Sequence, residues 1–310
     1  MREENYRETR DFEGDTKPIF DQVAKDYQLG DFIESRKVEM GYEDSNHVIE
    51  TTSGEYFVKI FGGYRDMEEC QRYVGIIEKA LEAGVSHPKM HQGPKGSLDH
   101  LEGSNANLAV FEYIDGETFY ELGKGPDEDE TKEVVRQAAT INTIDYRPPF
   151  VYDEWAVTNV QDQYKITEQH LSEEEKEAIA PLVAEFGNIN VKALPYAFVH
   201  GDLLTTNVMK SKKGGLYVFD FACANYYPRI MELAVLMCNL LKDQDADFVV
   251  DEYQKHLKLT EDELKQLPLF VDLAHAMHVI GARRENAIHG NATEENQYWL
   301  NQGRKGLGLK

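Results

Sequence analysis

The sequence predicts an α+β fold of two lobes, with a β-rich N-lobe and a mainly helical C-lobe. Three observations lead to this fold class: β-rich runs fill residues 36–61, helical periodicity dominates beyond residue 116, and an apolar strand ends between the two at Tyr113-Ile114-Asp115-Gly116. We therefore expect a flexible polar tail at residues 1–14, an N-lobe at residues 15–114 and a C-lobe at residues 115–310.

The composition is that of a globular protein. Of the 310 residues, 41% are hydrophobic and 29% are charged, which suits two lobes with cores of their own. No run of eighteen apolar residues is present, and the first thirty residues carry too many charges for a signal peptide, so we expect a cytoplasmic protein. The cysteines, Cys70, Cys223 and Cys238, lack C-x-x-C spacing, which favours reduced core thiols.

The net charge of −23, from 33 basic and 56 acidic residues, makes nucleic acid and anionic membranes poor partners. Much of the acidic excess lies in three runs, at residues 126–130, 172–177 and 260–263. Carboxylates in the first turn of a helix are stabilised by the helix dipole. We therefore interpret most of this excess as solvated helix starts, and a cationic substrate stays open.

The N-lobe elements follow from periodicity. A short amphipathic helix begins after Thr16 in KPIFDQVAKDYQL, and Gly30 ends it. Residues 36–61 then form strands around a loop at Gly41–Asn46, and the last of these strands carries Lys59. Taken alone, the loop is a hairpin turn and the lysine a solvated strand residue.

An amphipathic helix at residues 65–84 and a strand at residues 107–119 complete the N-lobe. The helix offers Glu68, Glu69 and Glu78 as carboxylates for the strand lysine. We select Glu69 as the partner, while a solvent-facing ion pair within the helix is the alternative for each of the three.

The C-lobe is mainly helical. Two of its apolar helices are expected to be buried, and the second of them contains His275 and His278. Because no third ligand is evident, we interpret the two histidines as core or pocket-wall groups rather than a metal site. The expected helices cover residues 127–144, 172–186, 227–242 and 267–286.

The stretch from His200 to Phe221, HGDLLTTNVMKSKKGGLYVFDF, carries the candidate chemistry. It contains Asp202, Asn207 five residues later, and Asp220 at the end of an apolar run. HGDLLTTN reproduces the spacing of the H-R-D-L-x-x-x-N motif of kinases, and Asp220-Phe221-Ala222 stands where their D-F-G motif would. In those motifs an Asp is the catalytic base, while an Asn and a second Asp hold the metal. Magnesium prefers such oxygen ligands and keeps further positions for water and phosphate.

Together with Lys59, these motifs resemble the small-molecule kinases of the aminoglycoside phosphotransferase and choline kinase type, which have a two-lobed protein-kinase-like fold. No A-P-E motif follows, which argues against a protein kinase. Within this group the residues are most similar to homoserine kinases, which have a G-x-E-N-T-N loop like Gly41–Asn46 and an F-x-F-A-C-N-D run like Phe219–Asn225. Thr205-Thr206 replaces the usual Pro-Asp, which puts the acceptor in doubt.

The resemblance implies an ATP-dependent, Mg²⁺-dependent transfer of the γ-phosphoryl group to a hydroxyl of a small molecule. Asp202 is the expected catalytic residue, and Asn207 and Asp220 are the expected metal ligands. A homoserine-like amino alcohol or hydroxy amino acid is the favoured acceptor, and aminoglycoside, choline, ethanolamine, hydroxylysine and sugar kinases are alternatives. The residues expected to bind nucleotide are Lys59, Glu69, Ser45, Asn46, Glu112 and Ile114.

The acceptor pocket is expected to involve the polar and aromatic residues that follow the metal Asp. Asn225, Tyr227 and Arg229 are the candidates, with Tyr226 and Glu232 beside them. Arg229 would suit a carboxylate on the acceptor, although a structural pair with an acid is equally consistent with the sequence. A catalytically inactive nucleotide-binding pseudokinase and a hydrolase are the rival functions, and a homodimer stays open.

Overall fold

The computed structural model describes residues 15–38, 44–101 and 106–310. The predicted tail at residues 1–14 and the first three residues of the Gly41–Asn46 loop lie outside these ranges. The chain forms two compact units. The first extends to Leu81 and includes His87–Asp115, and the second comprises Glu82–Ser86 and Gly116–Lys310. The lobe limits expected from the sequence stay predictions.

The first unit contains a five-stranded antiparallel sheet in the order β1-β2-β3-β5-β4 and two helices. Helix α1 precedes the sheet, and helix α2 connects β3 to β4. The elements are α1 Lys17–Asp26, β1 Phe32–Lys37, β2 Ser45–Thr51, β3 Gly54–Ile60, α2 Met67–Glu82, β4 Asp99–Leu101 and β5 Ala106–Glu112.

Helix α1 is held to the sheet by its apolar face. Ile19, Phe20 and Val23 lie at helical spacing, and all three are buried in one cluster with residues of β2, β3 and β5. The ring of Phe20 lies 5.7 Å from that of Phe32 and 5.0 Å from that of His47. Burying each such side chain stabilises the fold by about 1.5–3 kcal/mol, so the periodicity in the sequence accounts for this contact.

The second unit contains two small antiparallel sheets, β6-β8-β9 and β10-β7, and a set of helices. Its strands are β6 Gly116–Thr118, β7 Tyr196–Val199, β8 Val208–Ser211, β9 Leu216–Val218 and β10 Asn225–Pro228. Its α-helices are α3 Glu128–Ile141, α4 Val160–Thr167, α5 Glu173–Phe186, α6 Ile230–Cys238, α7 Ala246–His256, α8 Glu261–Arg284 and α9 Glu294–Gly306.

The three acidic runs are helix starts, as the sequence predicts. Helices α3, α5 and α8 each begin with a capping box, in which the N-cap side chain and the carboxylate three residues later satisfy each other's backbone amides. Two of those carboxylates are buried and also form ion pairs: Glu175 binds Arg283 and Arg304, and Glu263 binds Arg229. These two acids are therefore tertiary contacts and not solvated surface.

Across the described ranges, every helix is too short or too polar to span a bilayer. The three cysteines are free thiols, with Cys70 and Cys238 buried.

Candidate active site

The candidate catalytic loop begins where β7 ends. His200, Gly201 and Asp202 follow the last strand residue, Val199, and the chain turns at once because Gly201 has a φ of +81°. An L side chain is disfavoured at this φ, and a Cβ here would lie 3.4 Å from the carbonyl oxygen of Cys223. The glycine therefore allows the turn that brings Asp202 out of the sheet.

Asn207 is bound directly to Asp202. The Asn207 Nδ2 atom donates to the Asp202 carboxylate Oδ2 at 2.6 Å and to the Asp202 backbone oxygen at 2.9 Å. Because the amide nitrogen is used in this way, the amide oxygen is the atom left to act as a metal ligand. The five-residue spacing seen in the sequence thus corresponds to one closed loop.

His200 and Phe219 connect this loop to Asp220. The backbone N–H of Phe219 donates to the backbone oxygen of Asn207 at 3.1 Å, and His200 Nε2 lies 3.1 Å from the backbone oxygen of Phe219. Because a carbonyl only accepts, Nε2 carries the proton, which leaves Nδ1 to accept from the Asp202 N–H at 3.2 Å. The buried imidazole therefore fixes Asp202 and the residue before Asp220 together.

Asp220 has an unusual backbone. Its φ of +64° lies in the left-handed region, which costs a non-glycine residue roughly 1 kcal/mol or more. A strained backbone is kept where the surrounding structure fixes it. Here the backbone of Phe219 is hydrogen-bonded to Asn207 on one side of Asp220, and the Phe221 ring is buried on the other. Phe221 lies 4.2 Å from the His200 ring, between centroids.

Glu232 supports the loop from helix α6. Its buried Oε2 accepts from the backbone N–H of His200 at 2.6 Å. Burial raises the pKa of Glu232 to about 8, despite the backbone donors that favour its charged form. Glu232, which we expected beside the acceptor, therefore supports the candidate catalytic loop, and its place at the acceptor stays a prediction.

Asn207 and Asp220 together form a donor set that fits magnesium. One amide oxygen and one carboxylate are hard oxygen ligands, and they lie on segments that the Phe219 backbone joins. Magnesium is typically held by one or two such groups, with water and phosphate in the other positions. The residues present therefore fit the ion.

In the first unit, Lys59 is paired with Asp44. Lys59 Nζ lies 3.0 Å from Asp44 Oδ2, and Arg65 Nε lies 3.0 Å from Asp44 Oδ1. The Asp44 carboxylate is almost fully buried, with 1% of its side chain exposed. Burial alone would raise the pKa of Asp44, but the charges of Lys59 and Arg65 outweigh it and lower the pKa.

The sequence reasoning missed the contribution of Asp44 and Arg65. Asp44 was only one residue of the Gly41–Asn46 loop, and the only pattern that included Arg65 was a helix start. No sequence signal we know would pair residues 21 positions apart in this way, since the pairing depends on the hairpin and the turn before α2.

Glu69, our choice of partner for Lys59, has a different role. Its carboxylate accepts from the Asp66 N–H at 3.0 Å, and its own N–H donates to Asp66 Oδ1 at 2.8 Å. This reciprocal pair caps the start of α2. Among the described residues, the carboxylate beside Lys59 is that of Asp44, while the Glu69 carboxylate is engaged with the backbone at the helix start.

The other expected nucleotide residues lie around the same sheet. Ser45 Oγ is 2.9 Å from His47 Nε2, and the Asn46 Oδ1 atom is buried without a hydrogen-bond partner among the described residues. Asn46 is paired with Lys59 across β2 and β3. Glu112 ends β5 and donates its N–H to the Lys89 oxygen at 2.8 Å.

Ile114 lies two residues beyond that strand end and is half-buried. No contact recorded for the described residues assigns it a ligand, so its role in reading the adenine edge stays a prediction.

The three expected acceptor residues are engaged in internal contacts. Asn225 is 1% exposed and donates to the Val151 oxygen at 2.9 Å, and Tyr227 is 4% exposed. Arg229 binds the buried Glu263 through two bonds of 2.6 and 2.7 Å. Of our two interpretations of Arg229, the structure shows the pair with an acid, and a role at the acceptor stays a prediction.

Comparison with known proteins gives the class of the chain. A model of the phosphotransferase enzyme family matches residues 34–267, and the chain belongs to that family. It is a small-molecule kinase with a hydroxyl acceptor, and the expected resemblance and enzyme class are confirmed.

Among curated relatives, the homoserine kinase of Rhizobium meliloti (strain 1021) is 23% identical over 257 residues, which cover 78% of this chain and 76% of the relative.

Two solved structures share the fold. Spectinomycin phosphotransferase, in complex with ADP and spectinomycin, has a TM-score of 0.68 at 13% identity and covers 94% of this chain and 93% of that chain. An amicoumacin kinase, in complex with AMP-PNP, Ca²⁺ and Ami, has a TM-score of 0.66 at 16% identity. The match covers 95% of this chain and 93% of that chain. The protein-kinase-like, α+β fold predicted from the sequence is thus confirmed.

Proposed function

We propose that this chain uses ATP and Mg²⁺ to phosphorylate the hydroxyl of a homoserine-like amino alcohol or hydroxy amino acid. The observation that carries the proposal is the pair of hydrogen bonds from the Asn207 amide to Asp202, with the Phe219 backbone tied to the same loop. This arrangement supports a base and a metal-binding pair on one rigid segment.

Asp202 is the proposed base. Its carboxylate orients the acceptor hydroxyl and takes the proton as the oxygen attacks phosphorus. Asn207 donates to one carboxylate oxygen, which limits the rotation of the side chain. Bound ATP supplies the phosphoryl group, and Mg²⁺ neutralises the charge on its oxygens. Asn207 and Asp220 are the proposed ligands of the ion.

Lys59 is the proposed contact to the α- and β-phosphates. The buried Asp44 carboxylate fixes the ammonium group, which is the task that a helix Glu performs in protein kinases. Ser45 and Asn46 complete the proposed phosphate contacts. The backbone of Glu112 and Ile114 is proposed to read the adenine edge.

The homoserine-like acceptor is supported by the curated homoserine kinase of Rhizobium meliloti, at 23% identity, and by the likeness of Gly41–Asn46 and Phe219–Asn225 to homoserine kinase motifs. Arg229 already binds Glu263, which disfavours it as the contact for an acceptor carboxylate. We therefore propose that another donor from this chain binds such a carboxylate.

A coupled ADP-release assay tests the proposal. The purified chain is given ATP, with or without Mg²⁺, and a panel of homoserine, ethanolamine, choline, an aminoglycoside and a hexose. We expect Mg²⁺-dependent ADP release that homoserine stimulates most. Magnesium-dependent ATP binding with no stimulation by any acceptor would instead support a pseudokinase, and acceptor-independent release would support a hydrolase.

Asp202→Asn is the matched variant for the chemical step. We expect a loss in kcat of at least about 10²–10⁴-fold, with ATP binding retained, because only the proton acceptor is removed. Asp243→Asn, an exposed acid in the same unit, is the control and should leave kcat unchanged. Undiminished turnover in Asp202→Asn would remove Asp202 from the mechanism.

A further inference from the structure

Helices α6, α8 and α9 enclose a group of metal-ligating side chains that the phosphoryl-transfer site does not use. Cys238 is the last residue of α6, and His275 and His278 lie on α8. One ligand atom from each residue lies within 4.8 Å of the others, and all three residues are buried. The sequence interpretation rejected a metal site here because the third ligand was missing, and the fold supplies it in Cys238.

We propose that Cys238, His275 and His278 bind a zinc ion. Zinc accepts thiolate sulfur and imidazole nitrogen, at about 2.3 Å and 2.0–2.1 Å respectively. In a tetrahedral site these distances separate two nitrogens by roughly 3.3 Å and sulfur from nitrogen by roughly 3.6 Å. The three ligand atoms lie within 4.8 Å of one another, so small side-chain rotations would bring them to these zinc-site distances.

The two histidines carry the second, independent observation. The Nδ1 atoms of His275 and His278 are buried and have no hydrogen-bond partner among the described residues. Buried polar atoms in native proteins almost always have a partner, and each exception calls for an explanation such as an ion. Because the two residues are three positions apart on a helix, they lie on the same face, and one ion could serve both.

Helix α9 is shaped to admit the two imidazoles. A Cβ at Gly306 would lie 2.1 Å from His275 Nδ1, and a Cβ at Gly303 would lie 2.9 Å from the Cβ of His278. Any larger residue at either position would therefore displace a histidine. The pair of glycines lets the imidazoles pack directly against the backbone of α9.

The protonation state of the imidazoles suits this role. Burial and the nearby Lys242 charge lower the pKa of His275 to about 4, and burial, His275 and Lys242 lower that of His278 to about 3. Neutral imidazole is the form that binds metal. Zinc displaces the proton of the Cys238 thiol, which passes to solvent as the sulfur–zinc bond forms.

Two features oppose a cation. Burial raises the pKa of the Cys238 thiol, which donates to the Val235 backbone oxygen at 3.3 Å, so the thiolate that binds zinc is disfavoured. The second feature is Lys242. Its Nζ donates to Gln302 Oε1 at 3.1 Å, and its charge acts on both histidines. A positive charge near the site weakens zinc binding by Coulomb repulsion. Replacing Lys242 with Gln should therefore tighten zinc binding several-fold, which a purely structural role of the three side chains would not predict.

Zinc titration of the full chain against a chromophoric chelator tests the proposal. We expect one high-affinity zinc per chain and, with Co²⁺ in its place, a thiolate-to-cobalt charge-transfer band and the strong visible bands of a tetrahedral site. Cys238→Ser should abolish the charge-transfer band and weaken zinc binding at least about 100-fold, since the loss of even an outer-shell partner costs 10–100-fold. His278→Gln should weaken binding similarly.

The controls keep the result interpretable. Cys70→Ser, a change at another buried thiol, and His170→Gln, a change at an exposed imidazole, should leave both the affinity and the cobalt spectrum intact. X-ray absorption of the zinc-loaded wild type should give one sulfur neighbour, and it needs no variant if Cys238→Ser fails to fold. Absence of stoichiometric zinc binding, a sulfur-free zinc shell, or a charge-transfer band that persists in Cys238→Ser would overturn the proposal.

Discussion

The carboxyl group of Glu232 should make the protein less stable as the pH rises. Its pKa is raised from the usual 4.5 to about 8 by complete burial, so the folded state holds a proton that the unfolded chain releases. The stabilising contribution of this proton is complete below pH 4.5 and is lost as the pH rises through about 8. The perturbation we propose is Glu232→Gln, which keeps the shape and the acceptor for His200 but cannot ionise.

The magnitude follows from the two pKa values. At about 1.4 kcal/mol per pH unit, the full cost of ionising Glu232 in place is on the order of 5 kcal/mol. Between pH 6 and pH 9 the wild type should lose about 3 kcal/mol of unfolding free energy through this group. Glu232→Gln should lose none of it, so the difference in unfolding free energy between the two proteins should change by about 3 kcal/mol over that interval.

Urea unfolding followed by circular dichroism at pH 6, 7, 8 and 9 measures this difference, because other titrating groups cancel between the proteins. Glu117→Gln, at an exposed position on β6, is the control. Its unfolding free energy should change with pH as that of the wild type does. A difference between wild type and Glu232→Gln that stays constant from pH 6 to pH 9 would refute the reasoning, since Glu232 would then ionise normally in the folded protein.

Three further outcomes are expected. Arg229→Met should lower the unfolding free energy by about 3 kcal/mol, because the buried Glu263 loses its cation, and the KM for the acceptor should stay unchanged. A raised KM with unchanged stability would instead indicate that Arg229 binds the acceptor. Asn207→Leu should raise the Mg²⁺ concentration needed for half-maximal turnover at least about 10-fold, measured by ADP release; an unchanged Mg²⁺ requirement would remove Asn207 from the metal. Asp127→Ala should cost about 1 kcal/mol in urea unfolding through loss of the α3 cap; no loss would mean that the cap is not stabilising.

Much of the candidate catalytic loop was predictable from the sequence because its geometry is local. Asp202 and Asn207 are five residues apart, and Asn207 reaches back to Asp202 within one turn. Strand β9, which ends two residues before Asp220, pairs with β8 through a short hairpin, and the Phe219 N–H then bonds to the Asn207 backbone oxygen. Spacing over so short a range can be recognised in a sequence, because few backbone conformations connect two residues that are close along the chain.

The partner of Lys59 was not predictable in this way. The amphipathic pattern of α2 places several acids near its start, and the Asp66-x-x-Glu69 spacing is that of a capping box, a signal that we did not use when we selected Glu69 as the partner of Lys59. The buried ion pair with Asp44 depends on how the hairpin and the segment before α2 pack, and long-range packing has no periodic signature. The same applies to Arg229, whose sequence context was compatible with both a ligand and a structural pair.

The sequence by itself determined the two-lobed α+β class, the acidic helix starts and the motif that we propose carries phosphoryl transfer. Each of these depends on hydrophobic periodicity, capping chemistry or short spacing. Only the tertiary structure decided which acid meets Lys59, that Arg229 is engaged with Glu263, and that Cys238 meets His275 and His278. These contacts join residues 15, 34 and about 40 positions apart, and a pairing over such distances is fixed by packing that no local pattern encodes.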